Sequence, residues 1–312
     1  MSGMSGMPPP LKKQEPFDFV EIDENVAATD GTPHVYFMKV ALGDVGLGMV
    51  RGEFEGVSKL YEVIPEGVPR AVAWGTYKSQ PDNHFYLCDF LDMIEDLPDI
   101  HAFCSLLAKL HKESIPRSPN GKFGFHEVTY EGPMYQDTTW CDTWEESFRL
   151  RVRASLDQER IVHGSHKENE ELLPALYDKV IPRLLRPLET KGRSIKPVLI
   201  HGDIWYGNMS TNAETGEPLM FDPSVSWGHN ECDLTAMGIS RYRMGKHWRR
   251  EYHKHFPISA PEVDYEDRMA LYELRSHLCA STLYPDTPVF HEMLFNEIRR
   301  LVEKFPDGYQ GE

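Results

Sequence analysis

Asp203, Asn208 and Asp222 are three oxygen-bearing side chains spaced as if for one small volume, the first two separated by four residues. A short strand at 198–200, a loop, and a strand at 219–221 could bring all three to one end of a hairpin. Such a group suits magnesium, which takes oxygen ligands, keeps waters and phosphates, and uses only one or two protein carboxylates. Phosphoryl transfer also wants a carboxylate to accept the proton of the attacking hydroxyl. Aspartate, four residues, asparagine and a downstream metal-binding aspartate is the spacing of loops that do this chemistry.

That chemistry needs a cation aimed at the phosphates. Lys39 lies in the strand-like VYFMKV, and Glu53 follows 14 residues later. Glu53 is three residues from Val50 and four from Val57, inside an apolar helical stripe, where an unpaired carboxylate would cost several kcal/mol. Lys39 is its natural partner. Taken alone the two read as ordinary solvated charges; beside the 203–222 group they read as a pair. Gly43, Gly46 and Gly48 follow Lys39, whereas a phosphate-covering glycine loop precedes its lysine, so they read as turn glycines. Ahead of Lys39 only Gly31 is available, and any phosphate cover is rudimentary.

The elements that must hold these residues fall into two sets. Residues 17–22, 35–40, 71–74 and 85–87 are short and rich in β-branched or aromatic residues, with Asp-Gly, Gly-Asp and Pro-Asp turns between them. One amphipathic helix interrupts them, marked by Leu47, Val50, Phe54, Val57 and Leu60 and ended before Pro65. After residue 95 the pattern turns helical, with helices predicted around 100–110, 144–156, 171–188, 233–242, 264–283 and 288–305. The expected fold is α+β and two-lobed: a tail at 1–16, a small antiparallel-sheet lobe with one helix at 17–87, a hinge at 88–90, and a larger, mainly helical lobe at 91–312. A cleft between the lobes would hold the polar residues.

Of the 312 residues 40% are hydrophobic, enough for a full core, and the net charge is −16. A field of that sign repels nucleic-acid phosphates and anionic lipid, so neither is an expected partner. No apolar run approaches the 18 or so residues that span a bilayer, and MSGMSGMPPPLKK lacks the apolar core of a signal peptide. Five scattered cysteines, with no Cys-x-x-Cys, argue against a disulfide framework or a zinc site and for reduced thiols in the cytoplasm.

HGDIWYGN (201–208), then FDPSVSWGHNECDL (221–234), resembles the fructosamine kinase, or ketosamine-3-kinase, family, a branch of the aminoglycoside phosphotransferase and protein kinase-like fold. KFGFHEVTYEGPMYQDTTWCDTWEESF (122–148) resembles a second block of that family, and the likeness spans roughly residues 33–305. The resemblance implies an ATP- and magnesium-dependent kinase of the sugar 3-hydroxyl of ribulosamine or fructosamine adducts, free or on glycated proteins, as a deglycation step. It makes Asp203 the base, Asn208 and Asp222 the magnesium ligands, and Lys39 with Glu53 the ATP-phosphate pair. Cys88, Asp89 and Phe90 become the adenine-receiving hinge, acting through their backbone. Trp205 becomes a platform for the sugar or its amine. Two departures stand out: the glycine turn before Lys39 is eroded, and Thr138 replaces an asparagine of the Gln-x-Asn-x-Trp element.

His201 looks catalytic but is expected to brace the loop, as are Gly228-His229 and Asp233, the last also as a helix cap. Phe125-His126 could border the acceptor pocket or simply pack. Competing readings are another acceptor, such as choline or an aminoglycoside, and a pseudokinase-like binding protein. A two-metal phosphoesterase would need histidines where Met209 and Glu231 stand.

Overall fold

The computed structural model describes residues 26, 27 and 33–311. The expected tail, the strand read at 17–22 and Gly31 lie outside the described residues. Two short paired strands, β1 (Val26–Ala27) and β2 (Pro33–His34), precede an antiparallel sheet of β3 (Tyr36–Leu42), β4 (Ala71–Thr76) and β5 (Asn83–Asp89) in the order β3-β5-β4. Along β5 every second residue is buried, so His84, Tyr86 and Cys88 share one face, as strand alternation requires. Helix α1 (Gly43–Tyr61) covers that sheet, packing Val50 and Val57 against Ala41, Tyr86 and Cys88.

The glycines before the apolar stripe differ from the expectation. Gly43 makes the turn out of β3 with φ +68°, but Gly46 and Gly48 are helical. A Cβ at Gly46 would meet the Ala41 backbone, and one at Gly48 the Tyr130 hydroxyl. They are small so that α1 can start one tight turn after the strand and lie against its neighbours. Farther along, Leu60 and the following Val63 and Ile64 leave this small core and enter the larger one. The same helix therefore belongs to both lobes.

The larger lobe begins with β6 (Met93–Ile94) and α2 (Ile100–Ser114), whose first amides are capped by Asp99. After the β7 (Tyr130–Glu131) and β8 (Met134–Tyr135) hairpin comes α3 (Trp144–His163), which Thr143 caps through its hydroxyl. After a short α4 (Lys167–Glu170), the single helix expected over 171–188 is broken into α5 (Leu173–Ala175), a π turn at Leu176–Val180, α6 (Ile181–Leu185) and a 3₁₀ turn. Pro174, Pro182 and Pro187 each remove a donor from the i→i−4 ladder, and the chain changes helical type around them. Then come β9 (Val198–Ile200), β10 (Met209–Asn212), β11 (Pro218–Met220) and β12 (Ser226–Gly228). β9 pairs with β12, and β10 with β11 on one side and β6 on the other.

The helix expected at 233–242 is instead a series of 3₁₀ turns. The reason is visible in Arg249, on α7 (Lys246–Tyr252). Its guanidinium donates to the Leu234 and Thr235 carbonyls at 3.0 and 2.9 Å, taking acceptors that a continuous helix would use itself. Helices α8 (Tyr265–Leu283) and α9 (Pro288–Lys304) close the fold. The core under the site is centred on Trp144, Phe148 and Tyr272, with Trp144 Nε1 donating to the Tyr272 hydroxyl at 2.8 Å. None of the five cysteines is in a disulfide.

Candidate active site

Between the two cores lies a cleft of about 380 Å³. Lys39 enters it from β3, Glu53 from α1, Asp222 from the end of the β10–β11 hairpin, and Cys88, Asp89 and Phe90 from the end of β5. Lys39 Nζ is 2.7 Å from Glu53 Oε1 and also touches the Asp222 carboxylate. Burial by itself would lower the Lys39 pKa, but Asp222 and Glu53 together more than offset that and raise it. The ammonium is thus a fixed charge at the cleft wall.

Asn208 and Asp222 meet, but not on a hairpin of the strands read at 198–200 and 219–221: β9 pairs with β12, and it is β10 with β11 that brings them together, with Phe221 N–H donating to the Asn208 carbonyl at 3.1 Å to continue that ladder. The Asn208 amide then donates to Asp203 Oδ2 at 2.8 Å, to the Asp203 carbonyl at 3.0 Å and to the Asp222 carbonyl at 3.3 Å. One buried amide therefore holds both aspartates in place. Asp222 sits at φ +54°, a conformation a non-glycine residue rarely adopts and one that concentrates at functional sites.

Beneath the loop the packing is polar and closed. The amides of His201 and Gly202 both donate to the Asp233 carboxylate, at 2.8 and 2.7 Å, and His111 Nε2 lies 3.1 Å from it. Asp233 braces the loop as expected but caps no α-helix, because it lies inside a 3₁₀ segment, Asn230–Leu234. His201 is fully buried, with Nε2 donating to the Phe221 carbonyl at 3.0 Å and Nδ1 accepting from the Asp203 amide at 3.3 Å. Burial lowers its pKa to about 4, which keeps it neutral and able to play both parts. It ties the Asp203 loop to the Asp222 strand. Gly202 has φ +85°, and a Cβ there would collide with the Ser224 carbonyl, so no other residue fits.

Sequence reasoning missed two of these supports. Arg275, on α8, contacts the Gly202 carbonyl and pairs with the buried Glu131. Separations of 73 and 144 residues leave no local pattern that could have announced either contact. Phe37, Val57, Tyr86, Leu91 and Phe221 also line the cleft. Phe221 at least was flagged by its place before Asp222.

Other predicted residues fall elsewhere. Trp205 does not line the cleft; it packs against Ala236, Ile239 and Tyr242, with Tyr206 and Tyr242 ring centroids 4.8 and 5.9 Å away. Phe125 is buried, while His126 reaches α1 and lies 3.0 Å from Glu55, so the block packs the lobes together. His229 is buried between the Tyr272 and Ser259 hydroxyls. Burial pushes the Cys88 and Cys279 thiols up to about 12, which removes both as thiolate nucleophiles.

The model of the family described as fructosamine kinase matches residues 4–300. The chain belongs to the fructosamine kinase family. The match begins well before the stretch in which the likeness was read, within the expected tail. A rice (Oryza sativa subsp. indica) protein named protein-ribulosamine 3-kinase, chloroplastic, is 27% identical over 78% of this chain. Mouse (Mus musculus) ketosamine-3-kinase is 33% identical over 53% of it. The chain spans 66% of the rice protein's length and 50% of the mouse protein's. Among solved structures, a candidate fructosamine-3-kinase from Haemophilus somnus superposes with a TM-score of 0.66 at 19% identity, covering 86% of this chain and 84% of its own. The fold is the two-lobed protein kinase-like one. No helix among the described residues is long and apolar enough to cross a membrane.

Proposed function

We propose that this family member is a kinase that transfers the γ-phosphoryl group of ATP to the sugar 3-hydroxyl of a ketosamine, a sugar rearranged onto an amine. The observation that carries the reading is the Lys39–Glu53–Asp222 contact across the cleft, joined through Asn208 to Asp203. No solvated surface cluster needs a lysine buried between two carboxylates, and phosphoryl transfer needs all of these groups.

Asp203 accepts the proton of the attacking hydroxyl, with its backbone amide held by neutral His201 and its carboxylate by Asn208. Glu53 keeps Lys39 pointed into the cleft, where the ammonium meets phosphate oxygens. The donor set fits a magnesium ion: Asp222 offers a carboxylate, and Asn208, its amide nitrogen already committed to Asp203 and the Asp222 carbonyl, offers the amide oxygen. Magnesium on these two residues would neutralise charge on the phosphoryl oxygens. Adenine would lie along 88–91. The Asp89 and Phe90 amides already donate to the Arg70 and Val35 carbonyls, so carbonyl oxygens of this segment and the Leu91 backbone take that part. Trp205 with Tyr206 and Tyr242 offers the aromatic face for the acceptor. We assign glycated amines, free or on proteins, as acceptors, with ribulosamine preferred to fructosamine. The phosphate would make the C3 oxygen a better leaving group, which suits a role in deglycation.

An acceptor panel with Mg-ATP tests the reading. ADP formation should be fastest with a ribulosamine, slower with a fructosamine and absent with choline or an aminoglycoside. Turnover of only the last two would reassign the acceptor. A thermal shift with Mg-ATP but no ADP with any acceptor would make the protein a binding module.

A further inference from the structure

Among the described residues, one group of metal-competent side chains gathers away from the cleft: Glu159, His163 and His291. Glu159 and His163 lie at i and i+4 near the end of α3, a spacing that puts two side chains on one helix face, and His291 comes from the first turn of α9. One ligand atom from each falls within 4.8 Å of the others. Glu159 Oε1 is 2.6 Å from His291 Nδ1, 3.0 Å from Ser281 Oγ and 4.0 Å from His163 Nε2. The two imidazoles stand 4.6 Å apart between centroids. The Glu159 side chain is 3% exposed, whereas His163 and His291 are 14% and 19% exposed, so the imidazoles form the way in from water.

We propose that this cluster binds a divalent transition metal of the zinc class, through Glu159 Oε1, His163 Nε2 and His291 Nδ1, with water in the fourth position. Tetrahedral zinc with ligands at 2.0–2.2 Å sets ligand atoms roughly 3.3 to 3.6 Å apart. The 2.6 Å contact must open and the 4.0 Å one close, each by less than about 1 Å, a change within the reach of side-chain rotation. The surroundings supply outer-shell partners for two of the three ligands, His291 and Glu159. His291 Nε2 is 3.1 Å from the Asn169 amide; with the amide turned to present its oxygen, Nε2 donates and Nδ1 keeps its lone pair for the metal. His163 Nε2 donates to the Ser281 carbonyl at 2.9 Å, a bond the metal must replace as the ring proton moves to Nδ1. Ser281 Oγ continues to donate to Glu159. The ion would join the end of α3 to the start of α9 beside the end of α8.

Titrating the full-length, metal-stripped chain with Zn²⁺ or Co²⁺ alone, without nucleotide, tests this. The expected results are one tight equivalent of zinc, a higher melting temperature, and the intense visible bands of tetrahedral cobalt. Glu159→Gln and His291→Asn should each weaken zinc binding by at least the ~10- to 100-fold that follows loss of an outer-shell partner. Asp222→Asn, in the cleft, should not. Cobalt that stays octahedral in the parent, or a thiolate-to-cobalt band marking a cysteine site, would overturn the assignment without reference to any variant. So would parent-like zinc affinity in both folded variants.

Discussion

The two sides of the Asp203 loop are built from different materials. On the cleft side, Lys39, Glu53 and Asp222 meet from three elements of two lobes, and attraction between charges sets their positions. On the underside, backbone groups of 201 and 202 are held by Asp233, itself backed by His111, and by Arg275, all buried in one lobe. The first arrangement can exchange partners, which a site for phosphates and a metal needs. The second cannot, because each amide it holds would otherwise be a buried orphan. Function and stability should therefore separate between the two faces.

After loss of the base itself, Lys39→Met should give the largest loss of function. Removing one preorganised charge costs about 10² to 10³ in turnover, read as ADP release with a ribulosamine. Some stability should go with it, since the Glu53 side chain is only 15% exposed, but the drop in turnover should persist at temperatures where the variant is folded. A variant that unfolds but turns over normally when stabilised would erase the contrast. Asp233→Ala should do the reverse, leaving two buried amides unpaired at about 1–3 kcal/mol each in stability. Denaturant unfolding measures this; an unchanged midpoint would mean the underside is not the support described.

The underside should also be the acid-sensitive side. Burial holds His201 and His229 down to about 4, against about 6.5 in an unfolded chain. Between those values the unfolded state binds more protons, so stability is complete above about pH 6.5 and falls as pH drops toward 4, by up to about 1.4 kcal/mol per pH unit per histidine. His201→Gln should flatten part of that slope in a series of melting curves. Trp205→Ala should have the smallest effect, a rise in acceptor KM worth about 0.5–1.5 kcal/mol with little change in kcat. A KM change for ATP instead would move Trp205 to the donor side.

What could be read in advance follows the same division. Lys39, Glu53, Asp203, Asn208 and Asp222 were legible because the chemistry restricts residue type and spacing, and Glu53 betrayed itself as a charge in an apolar stripe. The sheet and α1 were legible from alternation and helical periodicity. The underside was not: Arg275 and Glu131 find each other across 144 residues, and Arg249 diverts carbonyls from a helix that the apolar pattern of 233–242 would have allowed. Periodicity records which face is buried but not which donor satisfies the backbone there. Trp205 shows the converse limit, since its type suggested an acceptor platform but gave no sign of the Tyr206 and Tyr242 rings grouped with it.

The most direct test of the account is Asp203→Asn, assayed for ADP formation with Mg-ATP and a ribulosamine alongside a melting curve. Asparagine can occupy the same place but cannot take the hydroxyl proton. Turnover should fall by about 10² to 10⁴ while the melting temperature holds. A folded Asp203→Asn protein that phosphorylates the ribulosamine at the parent's rate would contradict the assignment of this loop.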